Sequence, residues 1–389
     1  MKRKIAAVTV ARSDYGLYIP IFDEILKHPD VDLQVIAAAA HLSPRFGSTI
    51  DQIRADGYPV AATVEMTQEL DDPHSVNIAT ATGIPLFSKA YQDLKPDILL
   101  LLGDRYEMHA AGLAAVPHLI PVAHIHGGEE TTGAIDNVFR HSLTKLSHLH
   151  FASNQDHANR IIQMGENPSR VFVSGAPGLD RILNSNPPTF EELQSHLPKE
   201  LTPPYIIATF HPVTTEPTDA KIQAQNFLRA LQIQTLPVLL TMPNADTGGL
   251  AVRQAIKEIA SDFPHLITVE NLGARLYLTA MKNAQYMAGN SSSGIIEAAS
   301  FGLPVVNIGN RQQGRAQSGN VINCGTSQIE IEKALQKAFD TDKFTKPNIY
   351  GDGQAAQRIV KTLASIELSP DYIKKSFYSQ AIIRGEQDV

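Results

Sequence analysis

Five consecutive apolar residues, Ile98-Leu99-Leu100-Leu101-Leu102, run directly into Gly103-Asp104-Arg105. A strand with one wet face alternates apolar and polar residues, so an unbroken apolar run of strand length needs cover on both faces. A parallel sheet flanked by helices supplies that cover. Comparable runs at Lys4–Val10, Asp32–Ala40, Pro121–Gly128, Leu149–Ser153 and Arg170–Gly175 are separated by helix-length segments. The spacing predicts βαβ units and hence a doubly wound α/β sheet.

The rhythm stops at a Pro-rich stretch, Asn184–Pro204, which contains Pro187-Pro188 and Pro203-Pro204, and then restarts. Strands are expected at Tyr205–His211, Leu236–Met242, Leu266–Glu270, Gln285–Gly289 and Pro304–Ile308, with helical segments at Gly248–Asp262 and Gly294–Ala299. At 389 residues the chain suits two domains, each able to bury its own core. The expected division is an N-terminal Rossmann-like domain over 1–184, a second over 185–368, and a helical tail over 369–389. Within the closing part, Glu330–Phe339, Gln354–Ile366 and Asp371–Tyr378 read as helices, and no repeat is strong enough to assert a duplication. Two facing sheets of this kind place a ligand in the cleft between them, outside the carboxyl ends of the strands.

Composition narrows the partners. Hydrophobic residues at 43% and charged residues at 19% are ordinary for a folded chain. A net charge of −7 provides no general attraction for nucleic acid or anionic lipid. The only cysteine, Cys324, cannot close an internal disulfide and is read as a buried structural thiol; with no secretory leader at the N-terminus, a reducing cytoplasm is expected. No apolar run approaches the roughly 18 residues of a membrane span.

The polar clusters fall just after predicted strands. Ala11-Arg12-Ser13-Asp14-Tyr15-Gly16 enters a helix, and Arg12 with backbone N–H groups there suits a phosphate; a structural arginine is the competing reading. Asp104 and Arg105 emerge at the ligand edge, with helix capping as the alternative for Asp104. In His124-Ile125-His126-Gly127-Gly128-Glu129, alternation puts both histidines on one face. Zinc is not expected there, because two histidines and a carboxylate on one strand end do not complete a site. Asp136 and Arg140, four apart on a predicted helix, suit either a surface ion pair or a function beside that turn. His211 ends a strand of the second half as a candidate phosphate donor or a loop histidine. Gly289-Asn290-Ser291-Ser292-Ser293-Gly294 leads into a helix expected to carry Glu297 on its first turn, a phosphate cradle with a carboxylate for a ribose diol, or else a capping box. Asn307–Arg315 adds Arg311 and Arg315 in a Gly-punctuated loop.

With these clusters, Gly103-Asp104-Arg105-Tyr106-Glu107, Arg140-His141-Ser142, His211-Pro212 and Pro243-Asn244-Ala245-Asp246-Thr247-Gly248 in one order, the chain resembles the hydrolysing UDP-N-acetylglucosamine 2-epimerases of sialic acid biosynthesis. The resemblance spans about residues 4 to 365. It implies two Rossmann-like domains as in GT-B glycosyltransferases, a homodimer or homotetramer, and neither metal nor other cofactor. It also implies elimination of UDP from a UDP-amino sugar through a 2-acetamidoglucal, then hydration to free N-acetylmannosamine. By resemblance, acid/base work falls to Asp104, Glu129 and Asp136, and Arg140 orients the sugar or its carboxylate neighbours. His211 lies near the diphosphate as a general-acid candidate, while Arg12, Arg105, Ser291, Ser292, Glu297 and Arg311 hold UDP. Non-hydrolysing relatives carry Glu where this chain has His126, so that carboxylate is absent or replaced by Glu129. The same reaction on UDP-2,4-diacetamido-2,4,6-trideoxyglucose is the nearest alternative, and a GT-B glycosyltransferase a more distant one.

Overall fold

The computed structural model describes residues 2–43, 49–66, 72–130, 136–184, 186–212, 219–243 and 249–379. The chain forms two compact units, each built on one parallel sheet. In the first, strands β1 (Arg3–Thr9), β2 (Val31–Ala38), β3 (Val60–Val64), β4 (Ile98–Leu102), β5 (Val122–Ile125), β6 (Leu149–Ala152) and β7 (Val171–Val173) lie in the order 3-2-1-4-5-6-7. In the second, β8 (Ile206–Thr209), β9 (Val238–Thr241), β10 (Leu266–Val269), β11 (Tyr286–Gly289), β12 (Val305–Ile308) and β13 (Val321–Cys324) lie in the order 10-9-8-11-12-13.

All five residues of β4 are buried, as its continuous apolar run requires. The sequence reading misses β3 and β13, two of the four edge strands, in which the large apolar residues are few: Val60 and Val64 in one, Val321 and Ile322 in the other. Cys324, ending β13, is only half-buried, and burial pushes its thiol up to about 11.

The compact units depart from the expected division at 184/185 and 368/369. The first contains Met1–Glu130, Ala134–Arg181 and Gly353–Val389; the second is built on Ile182–Asp352. Helix Ala355–Ser365 belongs to the first because its apolar face, Ala356, Ile359, Val360 and Leu363, completes that unit's core. Asp180 anchors its start by accepting from the backbone N–H groups of Ala355 and Ala356 at 2.9 and 2.6 Å. The helix expected over Asp371–Tyr378 does not form: only the 3-10 turn Pro370–Ile373 is helical. The following chain is held instead by tertiary contacts, as Lys375 Nζ donates to Glu166 Oε2 at 2.7 Å and Tyr378 N to the Gly165 carbonyl at 2.8 Å. Among the described residues no helix is long and apolar enough to cross a membrane.

Each sheet has one point where strand order reverses, between β1 and β4 in the first unit and between β8 and β11 in the second. Helices that follow the two strands diverge there, opening a crevice at the carboxyl edge.

Candidate active site

In the first unit the exits of β1 and β4 flank the reversal. Arg12 opens helix Arg12–Lys27 with its side chain exposed. Asp104 and Arg105 leave β4, but their partners differ from those that local spacing offers. Arg140, on helix Asp136–Leu146, donates to Asp104 and not to Asp136, four residues away. Its guanidinium is almost fully buried, with 6% of the side chain exposed against 25% for Asp104, so the pair is only partly screened by water. Arg105 forks onto Glu107, through Nε to Oε2 at 3.1 Å and Nη2 to Oε1 at 2.7 Å, which uses two of its five donors.

Asp136 stands beside the Asp104–Arg140 pair. Burial raises its carboxyl above the ordinary range and the Asp104 charge raises it further, while Arg105 and Arg140 pull the other way. Glu129, in the turn after β5, is set oppositely. Burial opposes ionisation of Glu129, but the charge and hydrogen bond of the adjacent His126 ring, together with His157 and Arg140, outweigh it and hold Glu129 well below the usual carboxylate range. The contacts are short: His126 Nδ1 to Glu129 Oε1 is 2.6 Å, and the Ser153 hydroxyl donates to the same oxygen at 2.8 Å. Two carboxylates with environments that push their protonation apart are the usual arrangement for acid and base in one site.

The expectation that His124 and His126 share a face is corrected. β5 ends at Ile125, and His126 turns into the left-handed region at φ 65°, a conformation costing a non-glycine residue about 1–2 kcal/mol. His124 therefore stays inside, its Nε2 at 2.7 Å from the Gly103 carbonyl, with burial pulling its imidazole down to about 3. Of the two, it is His126 that reaches Glu129. Gly128 permits the turn: at φ 75°, an added Cβ would lie 2.3 Å from the His157 carbonyl oxygen. Ser153 and His157 were not singled out from sequence, although Ser153 follows β6 directly and the same strand-exit filter points to it. Among the described residues no group of three or more His, Cys, Asp or Glu is placed to hold a metal ion.

In the second unit, the exits of β8 and β11 meet through a reciprocal pair. His211 N donates to Asn290 Oδ1 at 2.7 Å, and Asn290 Nδ2 donates to the His211 carbonyl at 2.8 Å. The Asn290 carbonyl accepts from Arg311 Nη1 at 3.1 Å and Gln312 Nε2 at 2.9 Å, which brings the loop after β12 to the same place. Asn290 is thus the hub that joins His211 to Arg311, a role its position in the Gly-Asn-Ser-Ser-Ser-Gly run did not reveal. Gly289 allows the approach: at φ 136°, a Cβ there would sit 1.8 Å from the Thr209 carbonyl oxygen. Ser291 caps helix Ser292–Ile296 by accepting from Ser293 N at 3.3 Å. Glu297 is not on the first turn as expected but just past this five-residue helix, where burial raises its carboxyl and a Ser293 hydrogen bond partly offsets the rise. The motif Asn244–Gly248 lies outside the described residues.

The UDP-N-acetylglucosamine 2-epimerase family model matches residues 23–364. The UDP-N,N'-diacetylbacillosamine 2-epimerase (hydrolyzing) of Legionella pneumophila is 36% identical over 96% of this chain and 99% of its own length. The UDP-N-acetylglucosamine 2-epimerase of Neisseria meningitidis serogroup B is 30% identical, over 90% of this chain and 91% of its own. Among solved structures, a UDP-GlcNAc 2-epimerase from Neisseria meningitidis bound to UDP-GlcNAc superposes with a TM-score of 0.75 at 21% identity, over 92% of this chain and 99% of that one.

Proposed function

The chain belongs to the UDP-N-acetylglucosamine 2-epimerase family, and from that premise we propose that it is a hydrolysing UDP-sugar 2-epimerase. The observation that carries the reading is the contrast between Asp136, raised beside the Asp104–Arg140 pair, and Glu129, held ionised by His126. Removing a proton from an unactivated sugar C2 needs a base of higher than ordinary carboxylate basicity.

Asp136 takes the C2 proton. The C2–H electron pair becomes the C1=C2 double bond as the C1–O bond breaks, and that bond's electrons leave with UDP. Hydration completes the reaction: water adds its hydroxyl to C1 and gives up a proton to the Asp104 carboxylate, oriented by Arg140, and Asp104 passes that proton to C2 on the face opposite the one Asp136 deprotonated. Glu129, fixed as an anion, orients the sugar or the incoming water. Arg12, Arg105 and Arg311, with Ser291 and Ser292, take the diphosphate, Glu297 takes the ribose diol, and His211 protonates the departing phosphate oxygen. Fixed cationic donors that meet charge developing on the leaving group lower the barrier to the elimination.

Identity of 36% to the diacetylbacillosamine enzyme against 30% to the N-acetylglucosamine enzyme favours UDP-2,4-diacetamido-2,4,6-trideoxyglucose as substrate. The order given by sequence alone, with UDP-N-acetylglucosamine first, is therefore reversed in this proposal, and UDP-N-acetylglucosamine stands second. Proton NMR in D2O with each nucleotide sugar decides. UDP and a free sugar deuterated at C2, of manno configuration, are expected from the trideoxy substrate. Turnover confined to UDP-N-acetylglucosamine selects the second substrate, and a nucleotide-sugar product refutes hydrolysis. Near-normal rates in both Asp104→Asn and Asp136→Asn would refute the assignment of the base.

A further inference from the structure

The turn that carries Arg12 is built on a buried carboxylate that the proposed reaction does not use. Ala11, the N-cap of helix Arg12–Lys27, has no side-chain acceptor to offer the helix start. Asp14, three residues on and 5% exposed, instead reaches back to the chain that enters the helix: Oδ1 accepts from Ala11 N at 2.7 Å, and Oδ2 accepts from Val10 N at 2.9 Å and from the Thr9 hydroxyl at 2.7 Å. Three donors on one carboxyl group demand the ionised form, and that fixes the direction of everything behind it. Thr9 gives its proton to Asp14, so its oxygen accepts from His41 Nε2 at 2.9 Å. With its proton on Nε2, a neutral His41 accepts at Nδ1 from the Thr49 hydroxyl at 2.6 Å. Burial pulls His41 down to about 4, in keeping with a neutral ring. A one-way chain, Thr49 to His41 to Thr9 to Asp14, therefore runs from the start of helix Ile50–Ala55, past the exit of β2, to the exit of β1.

We infer that Asp14 is a positioning residue, whose carboxylate locks the turn from Val10 to Ser13 and so sets where Arg12 meets the diphosphate of the substrate. The inference rests on the reading of Arg12 as a diphosphate ligand. An exposed Ser or Asp at the cap would start this helix without burying a charge; the buried arrangement serves precision of the turn instead. It carries a pH dependence. The charged and titratable groups facing Asp14 are His41 from the exit of β2, Arg105 from the exit of β4, and Tyr18 on its own helix. Burial pushes Asp14 up to about 6, with the bonds from Thr9, Val10 and Ala11 opposing. Below that pH a proton occupies one of the accepting oxygens, and the turn loosens.

The test is steady-state kinetics on the full chain with the nucleotide sugar that the wild type turns over; its diphosphate diester does not titrate in this range. Asp14→Asn keeps the shape but sets an N–H group against the donors. The expected result is KM raised about tenfold with kcat within about twofold, the loss of one charge-assisted bond set. Wild-type KM is expected to rise as pH falls below about 6, and Asp14→Asn to lose that dependence. In an Arg12→Met background Asp14→Asn should add nothing, since it acts through Arg12. Where Asp14→Asn fails to fold, Thr9→Val removes one donor while keeping the carboxylate, with a KM rise of about threefold expected. Equal effects of Asp14→Asn with and without Arg12, or an unchanged KM and pH profile, overturn the inference. A wild type that turns over neither nucleotide sugar overturns the functional reading instead.

Discussion

Replacing Arg140 by methionine removes a buried cation while nearly preserving the length of the side chain. Breaking a buried ion pair by deleting one partner costs about 3–5 kcal/mol, because the other charge is left in a poor solvent. Here the surviving Asp104 is 25% exposed, so water recovers part of that charge, and about 2 kcal/mol is the reasoned loss. At about 2–4 °C per kcal/mol for a unit of this size, the melting temperature should fall by about 5 °C. The catalytic effect is separate. Arg140 is one of two cations restraining the rise of the Asp136 carboxyl, so without it Asp136 should titrate higher still. A base with a raised pKa is ionised only at higher pH, so the ascending limb of kcat moves up the pH scale. UDP release followed from pH 5 to 9, beside thermal unfolding, measures both. Arg140→Lys keeps the charge without the planar fork and should restore the limb more fully than the rate. An ascending limb that stays put or moves down, with an unchanged melting temperature, refutes the pairing of Arg140 with Asp104 and its electrostatic hold on Asp136.

His126→Ala removes the partner that keeps Glu129 ionised and leaves burial to raise its carboxyl, so kcat/KM should gain an acid limb that the wild type lacks, whereas Glu129→Gln should show no such limb; a wild-type pH profile in His126→Ala contradicts the pairing. Gly289→Ala drives a Cβ into the Thr209 carbonyl and should cost the second unit more than about 3 kcal/mol in urea denaturation. Gly273→Ala, at φ 66° in open space, should cost only about 1 kcal/mol, and equal losses would refute the steric argument. Glu166 is opposed by burial but held down to about 2 by bonds from His150, Lys145 and Lys375. A carboxyl depressed in the folded state stabilises above its unfolded value, and that contribution fades as pH falls from about 4.5 toward 2. With Lys145 42% exposed and its charge partly screened, Glu166→Gln should lose about 2 kcal/mol at neutral pH and converge with the wild type in acid. The chain from Lys374 to Tyr378 should become sensitive to protease as Lys375 loses its anchor; unchanged digestion would show that Glu166 does not hold it.

Local pattern was enough for the parts of this protein that local chemistry decides. The unbroken run from Ile98 to Leu102 specified a doubly covered strand, and the polar residues immediately after strands marked the edge where Asp104, Glu129 and Ser291 stand. Edge strands β3 and β13 went unread because each offers only two large apolar residues, whereas the equally half-buried edge strand β7 is continuous in Val171, Phe172 and Val173; Asp371–Tyr378 read as a helix because its neighbours' contacts, not its propensity, set its path. Partners were the larger omission. Spacing offered Asp136 to Arg140 and His124 to His126, while the fold chose Asp104 for Arg140 and Glu129 for His126. The reversal of strand order that places β1 beside β4 and β8 beside β11 is likewise written in no single segment. Sequence fixes which groups a strand exit can present, through periodicity a few residues long. Which of those groups meet, and which carboxylate is pushed up or held down, depends on burial and charge contributed by chain tens to hundreds of residues away, and only the packed structure brings those together.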